Sequence, residues 1–324
     1  MLNAIFSNYL ILTIILGYSL CLKKIFFVKN EITIKNIDLL YGLTLLIFIS
    51  LFLNFFFPLK FFIHTIFVLG FLLFIYGVYK KFFDLNFVLY FFIIIFTTLV
   101  SFYSNHNIDS PMYHLQIIKW LSFHKISFGL SNLEIRLGFN SSWHSLLAIL
   151  DLNIYKFTAK YYISSIILSA LIYETIRYKI KLNYSDIFLY LAISFLIFFS
   201  YLHPSKNGVI LNHLGNPERD IINMLFFFLI IYFFLKIQEN KNNKNYINLL
   251  FLSLFLCLTS RMLMLPMIVL LIFTLIENKN YKLINLNTIF LFIVSILWVL
   301  RTFILSGCLF FPFYQTCFKT SWSV

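Results

Sequence analysis

Long apolar runs recur along nearly the whole chain, and a run of about 20 apolar residues is the length that crosses a bilayer as a helix. Ten such segments are read from the sequence: Leu2 to Leu22, Leu39 to Phe57, Phe61 to Tyr79, Phe87 to Tyr103, Phe157 to Ile176, Ile187 to Leu202, Ile221 to Leu235, Ile247 to Leu258, Leu263 to Ile276 and Leu283 to Leu305. The eighth and ninth are short and meet at Thr259-Ser260-Arg261, with Pro266 just beyond, so they read as a broken hairpin. With 61% hydrophobic and 11% charged residues, the chain holds more apolar surface than a water-soluble core can bury. The expected fold is an all-α, polytopic transmembrane bundle of about ten helices in one domain over residues 1–324.

Charge orients this bundle. Taking the amino terminus as outside, the odd-numbered connections carry Lys23, Lys24, Lys29 and Lys35; Lys80 and Lys81; Arg177, Lys179 and Lys181; Lys236, Lys241 and Lys244; and Lys279 and Lys282. Cytoplasmic connections hold Lys and Arg, so five basic connections alternating with poorer ones place these on the inner side. The formal net charge of +13 is thereby explained by helix ends and anionic headgroups, and nucleic acid is not an expected partner. Leu2 to Leu22 has no basic residue before it and no small-residue cleavage site after it, so it reads as a retained helix rather than a signal peptide. The last residues, Trp322-Ser323-Val324, follow shortly after the start of an outer tail, which reads as an abrupt ending of a possible fragment.

The even-numbered connections then share the outer face, and the largest of them, residues 104–144, is where the polar residues gather. It contains Asp109, Tyr113, His114, Gln116, Trp120, His124, Asn132, Glu134, Arg136, Asn140, Trp143 and His144. Ionisable groups beside a membrane are retained for chemistry or binding more often than for packing. Met112, Leu115, Ile118 and Leu121 recur at helical spacing, which predicts an interfacial helix begun by Asp109 or Ser110 and Pro111. A second interfacial helix is expected from Trp143 to Leu150.

Asp109 has two readings, a helix cap worth about 1 kcal/mol or a general base. Around it the outer connections supply His114, Arg136, His213, Arg219, Arg261 and Arg301. One carboxylate among cations suggests a base beside an anion site, because the arginine fork donates paired hydrogen bonds to phosphate. Three of these cations also have bland readings: a local pair with Glu218 or Asp220 for Arg219, loop hydrogen bonds for His213, and snorkelling to headgroups for Arg301; Arg261, at the break between two short helices, is harder to dismiss. Cys21 and Cys257 read as core residues, whereas Cys308 and Cys317 share the outer tail and are a candidate disulfide.

The run Asp109-Ser110-Pro111-Met112-Tyr113-His114-Leu115-Gln116, then Trp120, then Gly129 through Trp143, resembles the outer-loop signature of a bacterial group of GT-C-type membrane glycosyltransferase-like proteins. Arg301, Gly307 and Phe311-Pro312 are similar to its later pattern. The resemblance implies a polyprenyl-phosphate sugar as donor, a glycan, lipid or protein as acceptor, and reaction on the periplasmic face of the bacterial inner membrane. It implies Asp109 as base or metal contact, and so admits a divalent cation without identifying one. His114 is placed to orient Asp109 or the donor, and Tyr113, Arg136, Asn140, Arg219, Arg261 and Arg301 are the candidates for holding donor phosphate or substrate. A non-enzymatic lipid or polysaccharide transporter, and a surface polysaccharide polymerase or ligase, are the alternative readings.

Overall fold

The computed structural model describes residues 1–26, 33–103, 109–154, 157–158, 161–177, 183–202, 213–240, 243–278 and 285–323. Among these, the chain is helical but for a two-stranded ladder pairing Asn153–Ile154 with Phe157–Thr158. The helices are α1 (Leu2–Phe26), α2 (Leu39–Phe56), α3 (Ile63–Tyr79), α4 (Phe87–Phe102), α5 (Leu115–Phe123), α6 (Ser142–Ile149), α7 (Ile163–Arg177), α8 (Tyr184–Leu202), α9 (Arg219–Glu239), α10 (Lys244–Ser260), α11 (Ile268–Glu277) and α12 (Leu286–Ser306). Each of the ten apolar segments has a helix at its place. Five stretches, Leu2–Phe26, Asn36–Phe56, Leu59–Tyr79, Arg219–Glu239 and Leu286–Ser306, are long and apolar enough to cross a bilayer, which makes this a helical membrane protein.

Burial separates a protein-facing side from a lipid-facing side. On α12, Val294, Trp298 and Arg301 are buried while Phe292, Ile293, Ile296 and Leu300 are exposed; α3 likewise exposes Val68, Leu69 and Leu72. Water would not tolerate such a band, whereas hydrocarbon does. Close helix approach depends on small residues: a Cβ on Gly17 would run into the Gly70 carbonyl of α3, and one on Gly42 into the Ile15 carbonyl of α1. With lipid tails as apolar as the side chains, such approach is a main source of helix association.

The two ends of the bundle differ in chemistry. At one end Lys23 Nζ lies 2.6 Å from Asp38 Oδ2, Lys236 Nζ lies 2.8 Å from Asp186 Oδ1, and Glu239 accepts from the Ser185 amide and hydroxyl. Of the inner-side lysines read from the sequence, Lys29, Lys179, Lys181, Lys241, Lys279 and Lys282 lie outside the described residues. At the opposite end, the loop running from Asp109 packs on the carboxy-terminal ends of α2, α10 and α12 and the amino-terminal end of α9. Asn54 Nδ2 donates to the Leu121 and His124 carbonyls, Ser142 Oγ pairs with Thr259 Oγ1 at 2.8 Å, and Ser131 Oγ donates to the Leu305 carbonyl at 2.8 Å.

Both loop helices depart from the expected interfacial geometry. A π turn, Ser110–His114, precedes α5. Its wider turn shifts the inward face, so Met112 is exposed while Ser110, His114, Ile117, Ile118 and Leu121 are buried. All eight residues of α6 are buried, against α2, α5 and α10, rather than lying at the interface. Trp143, Leu146, Leu147, Ala148 and Ile149 supply the apolar surface, and two of the helix's polar residues find partners inside the protein, Ser142 with Thr259 and His144 with His114.

Candidate functional site

The site begins at the π turn, a distortion that recurs at functional positions. Asp109 is exposed, its backbone is helical, and its side chain makes no capping hydrogen bond. The capping role that its position suggests is therefore not the one this carboxylate performs. Next to it, Ser110 Oγ donates to Glu218 Oε1 at 3.1 Å, fastening the start of the turn to the segment that carries Arg219. Glu218 is buried, and its second oxygen lies 4.0 Å from His213 Nδ1.

The turn swings His114 inward onto α6, where its Nδ1 meets His144 Nε2 at 2.9 Å. Burial pushes His114 down to about 3, with the Arg219 and Arg261 charges adding to it. Burial, then His114 and Arg219, hold His144 well below the ordinary imidazole range. Both rings are thus neutral at pH 7, so one N–H donates to the bare nitrogen of the other. The unfolded chain takes up these protons near pH 6.5, and folded His114 only near 3. Below pH 6.5 the unfolded state binds more protons, so stability falls as pH drops toward 3 and levels off above 6.5. Each histidine is expected to contribute a slope of up to about 1.4 kcal/mol per pH unit. Melting curves of the parent and of His114→Gln between pH 7.5 and 5 measure it; equal pH dependence in the two would refute the neutral pair.

Arg219 and Arg261 have different partners. Arg219 Cζ lies 5.2 Å from the Phe139 ring centroid, and the guanidinium also interacts with Tyr113. Arg261, extended in the break between α10 and the 3-10 turn Met262–Met267, forms an ion pair with Asp220. The local partner expected for Arg219 thus serves Arg261. Arg219 and Arg261 line one cavity of about 270 Å³ with Phe139, Asn140, Phe311 and Phe313. Through shared walls at Thr259, Met262 and Trp298, this cavity borders an apolar groove of about 460 Å³ between α10, α11 and α12.

The other candidates sit around or outside this cavity. Tyr113 bridges inner and outer parts: its ring centroid lies 4.0 Å from that of His114, tilted by 37°, and Arg136 Cζ lies 5.2 Å from its centroid. Arg136 itself is half exposed, 3.8 Å from Glu134. Asn140 lines the cavity, but its amide donates to the Trp298 carbonyl at 2.7 Å and to Thr302 Oγ1 at 2.9 Å, and its carbonyl accepts from the Trp298 indole at 2.8 Å. It joins the loop to α12. Arg301 is buried away from Arg219 and Arg261, donating to Asn54 Oδ1 at 2.7 Å, and neither snorkels nor lines the two-arginine cavity. Among the described residues no three His, Cys, Asp or Glu side chains converge to hold a metal ion. Cys308 and Cys317 form a disulfide.

Sequence reasoning left His144 without a role and offered Asp220 and Glu218 only as local partners of Arg219. No spacing signal pairs residues 110 with 218, or 114 with 144; only the helix packing does. No curated protein and no solved structure matches the chain. The family model described as Domain of unknown function (DUF8201) matches residues 1–324, and the chain belongs to that family.

Proposed function

We propose that this protein is a glycosyltransferase of the bacterial inner membrane, moving a sugar from a polyprenyl-phosphate donor to a glycan, lipid or protein acceptor on the periplasmic face. The observation that carries the reading is the apolar groove bordering a pocket with two arginines, Arg219 and Arg261. A long isoprenoid tail with a single phosphate at its end has the same division, hydrocarbon first and anion last. The groove walls, Phe251, Leu254, Phe255, Ile268 and Leu291, take the tail by burial of apolar surface. The two guanidiniums take the phosphate by charge-assisted hydrogen bonds. The disulfide between Cys308 and Cys317 supports an oxidising compartment for this end of the bundle.

In the proposed step Asp109 removes the proton of the acceptor hydroxyl as its oxygen bonds to the anomeric carbon. The carbon–oxygen bond to phosphate breaks, and its electron pair stays on the phosphate oxygen, where Arg219 and Arg261 stabilise the added charge. Tyr113, packed on His114 and coupled to Arg219, holds the position of that arginine.

Arg261→Lys tests the phosphate assignment. Lys keeps the charge beside Asp220 but loses the planar fork, so folding is expected to survive while polyprenyl monophosphate binds about tenfold more weakly. Titration of the purified proteins with that lipid in detergent measures the difference. Equal affinity in parent and variant removes Arg261 from the donor site.

A further inference from the structure

Arg301 poses a problem that glycosyl transfer does not answer. It is 4% exposed, on the protein-facing side of α12, and its one hydrogen bond is to the neutral Asn54. Among the described residues no carboxylate pairs with it. A guanidinium does not deprotonate to escape burial, and an unpaired buried charge is strongly destabilising.

Arg301 lines a partly open cavity of about 20 Å³ between α5, the start of α6 and α12, which adjoins the two-arginine pocket at Phe139 and Asn140 but contains neither Arg219 nor Arg261. Three polar atoms in its walls have no partner: Trp120 Nε1, Ser141 Oγ and Ser145 Oγ. Ser141 and Ser145 are 3% and 1% exposed. An indole N–H and a guanidinium only donate, and the two hydroxyls are free to donate as well. The occupant must accept from the indole and the guanidinium and can accept from both hydroxyls, and the uncompensated cation favours a negative one. One water needs about 10 to 15 Å³ measured in this way, so the space admits one small particle and not a phosphate with four oxygens.

We propose that this cavity is a binding site for a single halide ion, chloride under ordinary conditions, held by Arg301, Trp120, Ser141 and Ser145. The ion neutralises Arg301 and ties three separate pieces of chain together: Trp120 on α5, the two serines at the start of α6, and α12. Its role is to lock the outer loop onto the bundle, and it is independent of the donor site.

The test compares purified protein in sodium chloride, sodium bromide and sodium gluconate at equal ionic strength. A saturable rise in Tm of about 2 °C or more is expected in either halide over gluconate. Crystals grown in bromide are expected to give an anomalous peak between Arg301 and Trp120. Arg301→Gln is expected to abolish the halide dependence. Trp120→Phe, which removes one donor and leaves an aromatic ring, is expected to raise the halide concentration at half effect and so decides the matter if Arg301→Gln does not fold. The same Tm in all three salts, or a cavity filled by density without anomalous signal, would mean that a water sits there and would overturn the proposal.

Discussion

Asp109→Asn is expected to leave expression and melting behaviour near those of the parent while lowering sugar transfer by a factor on the order of 100 or more. The stability half of that expectation follows from the structure: the Asp109 side chain is exposed and makes no capping bond, so the amide removes no native hydrogen bond. The activity half follows from the proposed mechanism, because Asn keeps the size of Asp but cannot accept the acceptor's proton. Membranes with equal amounts of folded protein, assayed for transfer from a lipid-linked sugar pool, separate the two. Near-parental transfer by Asp109→Asn would remove it from the mechanism, and Asp220 would become the nearest carboxylate to examine, since it already lies against Arg261.

Gly42→Val is expected to abolish the folded protein, with a loss of about 3 kcal/mol. A Cβ at this position meets the Ile15 carbonyl oxygen and lies 2.6 Å from Ser19 Oγ. Backbone cannot move aside as a side-chain tip can, so α1 and α2 must separate. The separation also breaks the bond from the Gly42 amide to Ser19 Oγ, 3.0 Å in the native packing. Leu72→Val, on the exposed face of α3, is the control and should be silent. Monodisperse yield on size exclusion measures both, and a well-folded Gly42→Val would show that these helices do not pack through their glycines.

How much of this was legible in advance depends on the distance over which each feature is determined. The ten apolar segments are local properties of composition, and every one has a helix at its place. The polar loop, the break at Arg261 and the cysteine pair of the tail were legible for the same reason: each is a short stretch whose chemistry differs from its surroundings. The reading of α5 was right about a helix and about Leu115, Ile118 and Leu121 on its apolar face, and missed only Met112, which lies in a π turn that adds backbone without a sequence mark. The reading of α6 failed at a different level, since nothing near Trp143 says whether an apolar helix meets lipid or protein.

The sequence by itself therefore determined that this is a helical membrane protein with its largest group of polar residues in one connection, because burial in hydrocarbon is imposed residue by residue. Only the tertiary structure decided which cations lie together. Arg219 and Arg261, 42 positions apart, line one cavity beside an apolar groove, whereas Arg301, grouped with them by charge alone, faces another cavity with Trp120 and two unpartnered serines. His114 and His144 become a neutral pair only when the π turn faces α6. Charge is a property of a residue, but its partner is set by how the helices pack, and the energy of a buried charge depends almost wholly on that partner.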